Sequence, residues 1–250
     1  DGLTFGDKEI KQGLIAMIQV RDPIDGTVDV NDPNAHGTGF DRVGAFQDGF
    51  TGGTHPSLIY DYYGFPPETY ALEYTAPGHP ALAQQAAQLL QKAGFAATVD
   101  VDYGWDHGVF IPLKVMFPDA NVPVVAMSLQ ASLNPPLHCD YGTALQSLRD
   151  EGVLIVGSGM SYHNLQNFAG CAPASFAFHD WLDSVLCGNR EERKRSLALW
   201  SQAPGGRASH PREEHLLPLM VAAGAAGEDR GRVAYNGSVM GARLSAYHFG

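Results

Sequence analysis

The chain has 250 residues and a mass of 26.8 kDa, with 16 Lys and Arg against 27 Asp and Glu, a formal charge of −11 with histidine neutral. It lacks the basic face that displaces counterions from nucleic-acid phosphates or adheres to anionic lipid, so neither partner is expected. At 44% hydrophobic and 17% charged residues it can bury a sizeable core, which excludes a wholly disordered chain; no apolar run approaches the roughly 18–20 residues of a membrane span, and no signal peptide is visible.

The chain begins at Asp1 without a methionine, so a missing N-terminal piece is expected. Residues 13–20 are short, apolar and β-branched, as in a buried strand. About 22–58 is rich in Gly, Asp, Asn and Pro and reads as one long irregular loop, with a short strand at 28–30. Regular alternation follows. Residues 80–93 read as a helix, with Pro80 in the first turn, one apolar face and Gly94 as the stop. Strand 97–102 precedes a short helix at 109–117, with Pro112 in its first turn. Strand 122–129 is followed by a helix opening at Asn134-Pro135-Pro136 and closing at Gly152. Strand 153–156 comes next, then helices at about 174–187, 190–200 and 212–223, and strands at 232–235 and 244–249. This order predicts one α/β domain over 1–250, with a central, mostly parallel sheet flanked by helices. Chemistry is then expected in the loops beyond the carboxyl ends of the strands.

Three cysteines, Cys139, Cys171 and Cys187, cannot all pair and lack CxxC spacing, so a disulfide framework or a zinc–thiolate site is not expected and a reducing cytoplasm is. Ten histidines are more informative. His107 follows one strand in Gly104-Trp105-Asp106-His107-Gly108, and His163 follows another in Gly157-Ser158-Gly159-Met160-Ser161-Tyr162-His163. His215 stands near the start of a late helix, and His36 and His55 lie in the long early loop. Imidazoles above a parallel sheet can bind a borderline metal or move protons near neutral pH. His79, His138, His179, His210 and His248 read as ordinary surface or core residues. Glu213-Glu214 is expected to favour a helix N-terminus through the dipole. Tyr60-Asp61-Tyr62-Tyr63-Gly64-Phe65-Pro66 packs four aromatics into a turn-like segment, fitting either a flat pocket or the core. Serine-hydrolase, dinucleotide, P-loop and H-E-x-x-H templates all fail.

Several segments together resemble the class III extradiol dioxygenases of the DOPA type. They are 58–66 with Tyr74-Thr75-Ala76-Pro77-Gly78, 104–108 with Pro112-Leu113 and Met116-Phe117-Pro118, and 122–125 with Ser128-Leu129. The run 148–160 with His163-Asn164-Leu165 is the most recognisable, and the likeness covers roughly 58–250 in order. The resemblance implies a non-haem Fe(II) enzyme, zinc having been described in some members, that opens catechols beside their two hydroxyls by inserting both atoms of dioxygen. It implies His163 as the acid–base histidine, His107 as the D-H-G histidine near the substrate, and His215 as the last metal ligand. Tyr60, Asp106 and Arg21 are expected at the substrate.

The likeness breaks at one place. Gln19-Val20-Arg21-Asp22 stands where the family carries a second ligand in S-A-H-W, and no H-G precedes residue 13. Arginine cannot ligate iron, and His36-Gly37 is the visible substitute. Three readings stand at this point. One is a dioxygenase whose metal site uses His36 and His215. A second is a metal-free relative that applies His107 and His163 to a cyclisation, isomerisation, hydrolysis or lyase step while Arg21 binds an anionic group. The third is a non-enzymatic relative, such as one subunit of a heteromeric dioxygenase whose partner carries the metal; either a homo-oligomer or such a heteromeric partner is expected.

Overall fold

A computed structural model describes residues 14–15, 17–19, 49–167 and 171–250. The strand expected at 28–30, together with Arg21 and His36, lies outside them. The fold is α/β, and the chain divides into two compact units, the first holding the described residues up to Ser132 with Ser147–Ser158, the second Leu133–Gln146 with Gly159–Gly250.

The first unit contains β1 (Leu14–Ile15), β2 (Met17–Gln19), β3 (Gly49–Thr51), α1 (Pro80–Lys92), β4 (Thr98–Asp100), α2 (His107–Met116), β5 (Ala126–Ser128) and β6 (Leu154–Ile155). β1 pairs with β6, β2 with β5 and β3 with β4, all parallel; β3 meets β5 antiparallel at the single register pair Phe50–Met127. Strand pairing is thus mostly parallel, as expected from the continuous apolar runs. β3 falls inside the stretch expected to be irregular. Two hydroxyls add to its ladder with β4: Ser128 Oγ accepts Gly49 N–H at 3.0 Å and Thr51 Oγ1 accepts Ala126 N–H at 2.9 Å.

α1 forms where Pro80, the apolar face and Gly94 place it. His79 Nδ1 accepts Leu82 N–H to cap its start, and Gly94 takes a φ of +89° just past its end. α2 begins at His107, two residues before the expected start, because Asp106 Oδ1 accepts Val109 N–H at 3.2 Å and turns the preceding residues into a cap. Pro112 therefore lies inside the helix rather than in its first turn. Trp105, Val109, Phe110 and Leu113 build this unit's core with Tyr74, Val122, Val124 and Ala126.

The second unit contains α3 (Pro135–Leu145), α4 (Ala172–Leu186), α5 (Arg190–Ala198), α6 (Gly206–Ser209), α7 (Leu217–Ala225), β7 (Gly231–Val239) and β8 (Ala242–Phe249). α3 and α7 pack backbone to backbone. A Cβ on Gly142 would lie 2.0 Å from Val221 O, and one on Gly224 2.0 Å from Cys139 O. α7 starts five residues later than the helix expected from 212. Pro218 occupies its first turn, where a missing N–H costs nothing. Glu213 and Glu214 precede the helix and do not serve its dipole as expected. Glu213 pairs with Arg207 at 2.5 Å and Glu214 with Arg212 at 2.7 Å. β7 and β8 form an antiparallel hairpin, longer than either expected strand, whose two-residue turn Met240-Gly241 has positive φ at both positions. Among the described residues no helix is long and apolar enough to cross a membrane.

Candidate active site

In the first unit, parallel pairing of Leu58 with Trp105 fixes how the aromatic segment meets the start of α2. Two residues past Trp105, His107 meets Asp61. Asp61 Oδ1 accepts the backbone N–H of His107 at 3.0 Å and lies 2.9 Å from its Nδ1. Both side chains are half-buried. Burial works against a charge on either group, but the hydrogen bond and opposite charge of the partner outweigh it. His107 is raised above the ordinary imidazole range, with Asp106 adding to the effect, and Asp61 is lowered. The Tyr62 ring stands edge-on to His107 at 5.8 Å. Tyr60 donates its hydroxyl to Leu72 O and packs edge-on to Phe110, while the Asp106 carboxylate is the α2 cap.

In the second unit, His163 and His215 stack face to face, their ring centroids 3.4 Å apart and their planes within 14°. Both are half-buried. Gly159 permits this approach, since a Cβ there would lie 2.2 Å from His215 O. His215 Nδ1 accepts Met160 N–H at 3.2 Å, and His163 donates its backbone N–H to Ser209 O at 2.9 Å.

Beneath the His163 loop lies a polar network that the sequence did not reveal. Buried His179 bonds Ser175 O through Nδ1 at 2.6 Å; since a carbonyl only accepts, Nδ1 carries the proton and Nε2 accepts from Ser161 Oγ at 2.9 Å. Ser245 N–H donates to the same hydroxyl at 2.8 Å. Fully buried His210 donates through Nε2 to Ser161 O at 2.9 Å, while its Nδ1 has no hydrogen-bond partner. Ser161 and His163 are thus tied to Ser209 and His210 from both sides.

Burial pushes His210 down to about 3 and lowers His138 and His179 as well, so the three are neutral in the folded chain. Each binds a proton more readily when unfolded, so the stability they contribute is present above the unfolded value of 6.5 and is lost as pH falls. His107 acts in the opposite sense, its contribution present below 6.5 and lost as pH rises through its raised folded value. For His210 alone the loss between pH 7 and pH 5 is expected to be roughly 2 kcal/mol. Comparing the pH dependence of urea unfolding in the unaltered protein and in His210→Gln measures it; the same dependence in both would contradict neutral burial.

Among the described residues no group of three His, Cys, Asp or Glu side chains could hold a metal ion. His215 as placed does not suit one either. Its Nδ1 accepts an N–H, so the neutral ring carries its proton on Nε2, whereas ligation through Nε2 needs the proton on Nδ1. The described residues therefore do not by themselves fit a metal. His36, the other expected ligand, and Arg21 lie outside the described residues. His55 is exposed beside Thr54.

Residues 49–248 match the family described as the catalytic LigB subunit of aromatic ring-opening dioxygenase. The chain is 38% identical over 215 residues to dioxygenase tasH of Hapsidospora irregularis, covering 80% of this chain and 66% of that protein. It is 41% identical over 176 residues to the 4,5-DOPA dioxygenase extradiol of Beta vulgaris, covering 68% of this chain and 65% of that protein. It therefore spans just under two thirds of the length of these relatives. Among solved structures, an uncharacterised Escherichia coli K12 protein superposes with a TM-score of 0.69 at 28% identity, covering 94% of this chain and 84% of that one.

Proposed function

The chain belongs to the LigB family of aromatic ring-opening dioxygenases, and from that premise we propose that it serves an extradiol reaction, cleaving a catechol ring beside its two hydroxyls with insertion of both oxygen atoms of O2. The observation that carries the proposal is the stacked pair of His163 and His215, two residues far apart in sequence that the resemblance had independently assigned to the reacting site. In this reading His163 accepts a proton from a catechol hydroxyl, because a neutral imidazole is the side chain best matched to that transfer near pH 7. His107, whose proton Asp61 holds more tightly than an ordinary imidazole's, donates a hydrogen bond to substrate oxygen as negative charge develops. Tyr60, Asp106 and Arg21 line the substrate.

The family works with a non-haem metal ion. Fe(II) is the metal proposed here, with zinc as the alternative; His215 and His36 are the ligands proposed, His215 binding through Nε2 only once its ring gives up the Met160 N–H bond and carries its proton on Nδ1. A metal-free relative is the second reading. It is favoured by Arg21 standing where the resemblance calls for a ligand histidine, and by the His215 tautomer. The protein is proposed to be cytoplasmic, either a homo-oligomer or the partner of a second subunit.

Elemental analysis of the purified protein, paired with an oxygen electrode and a series of catechols, tests the proposal. The expected result is bound iron and one O2 consumed per catechol opened. Turnover that survives chelation without oxygen uptake would replace it with the metal-free reading.

A further inference from the structure

We infer that Asp61 is the positioning residue for His107, its Oδ1 holding both the backbone N–H and the ring Nδ1–H so that the imidazolium presents Nε2–H as a donor in a fixed direction. The inference rests on the reading of His107 as a substrate-facing group and adds a residue which that reading did not contain.

The first residue of a helix is a poor place for a cation. Backbone N–H groups aimed along the axis create partial positive charge there, and partial burial raises the cost further. Left alone, His107 would be neutral, with its proton free to sit on either nitrogen. Asp61 removes both freedoms. One carboxylate oxygen has two lone pairs, and Oδ1 uses them on the two N–H groups of a single residue, at 3.0 Å and 2.9 Å. Turning the imidazole over would replace Nδ1–H with a carbon and lose the charge-assisted bond, so the ring has one favoured orientation.

The surroundings support that bond. Trp105 N–H donates to Ser57 O at 2.8 Å and Ile59 N–H to Trp105 O at 2.7 Å, which sets the segment carrying Asp61 against the residue two before His107. Gly104 lets the two backbones approach, as a Cβ there would stand 2.3 Å from Ser57 O. The titratable groups that face His107 among the described residues include Asp61, Asp106 and the edge of Tyr62. Asp106 Oδ1 accepts Val109 N–H as the helix cap, and Asp61 Oδ1 is the carboxylate oxygen 2.9 Å from the ring Nδ1.

The test uses 15N-labelled protein, with the His107 ring signals identified by their loss in His107→Gln. In the unaltered protein the neutral ring is expected as the Nδ1–H tautomer, and its titration to lie above that of an ordinary histidine. Asp61→Asn is expected to lower that titration by about one pH unit, tenfold in proton affinity, and to move the alkaline limb of kcat/KM for catechol by the same amount. Two results would overturn the inference: an Nε2–H tautomer in the unaltered protein, which needs no variant to fold, or an unmoved His107 titration in folded Asp61→Asn. A fall in turnover with the titration and the pH profile both unmoved marks Asp61 as structural only and counts equally against it. If no catechol is turned over at all, the ring-opening reading fails while the tautomer and titration still decide the role of Asp61.

Discussion

His163→Ala is expected to lower catechol turnover by roughly two to four orders of magnitude, the usual contribution of a placed general acid–base group. The ring of His163 lies flat on that of His215 at 3.4 Å, and stacking at that distance disfavours two simultaneous imidazolium charges. One ring of the pair thus stays neutral and able to accept a proton. Its backbone is fixed independently of the ring by the bond to Ser209 O, so truncating the side chain leaves the loop anchored through Ser161, His179 and His210. Oxygen uptake measures the loss, and the unfolding midpoint should move little. A variant that keeps more than a tenth of the activity would remove His163 from the chemistry. A variant that fails to fold would assign it to the scaffold instead.

Gly142→Ala is expected to cost about 3 kcal/mol of stability, the upper end for overpacking, with no direct effect on the reacting residues. The new methyl would stand 2.0 Å from Val221 O and 2.7 Å from Ala225 N, both backbone atoms of α7, which cannot swing aside as a side chain tip would. Gly224, on α7, faces Cys139 O across the same contact, so the two helices approach through a glycine on each. α7 directly follows the turn that carries His215. Chemical denaturation reads the loss; a change below about 0.5 kcal/mol, within the usual range for surface substitutions, would mean that the helices separate more easily than their packing indicates.

The elements legible in the sequence were those with local punctuation. Pro80 and Gly94 bracketed α1, and Asn134 with two prolines marked the start of α3, where its side chain accepts Leu137 N–H at 3.0 Å. Errors arose where a side chain rather than a periodicity set the boundary. Asp106 starts α2 early by capping it, and the Arg207 and Arg212 ion pairs hold Glu213 and Glu214 outside α7. β3 was hidden because a three-residue Gly-Phe-Thr strand carries no pattern, and its partners, β4 and the β5 residues Ala126 and Ser128, lie far off in sequence. His107, His163 and His215 stood out by their places after strands or near a helix start, and then through family likeness. Asp61 did not, because 46 positions separate it from His107 and only the folded chain brings the two together. His138, His179 and His210, read from the sequence as ordinary surface or core residues, are all buried. That two of them support the His163 loop has no trace in spacing.

The bond from Ser245 N–H to the Ser161 hydroxyl spans 84 positions. At a synthesis rate of about 5–20 residues per second, roughly 4–17 s pass on the ribosome between making one end of that link and the other. Through that interval the growing polypeptide carries His163 on a segment whose last fastening has not yet been translated. The bonded conformation of this loop is accordingly completed only once the β7–β8 hairpin has emerged and folded back.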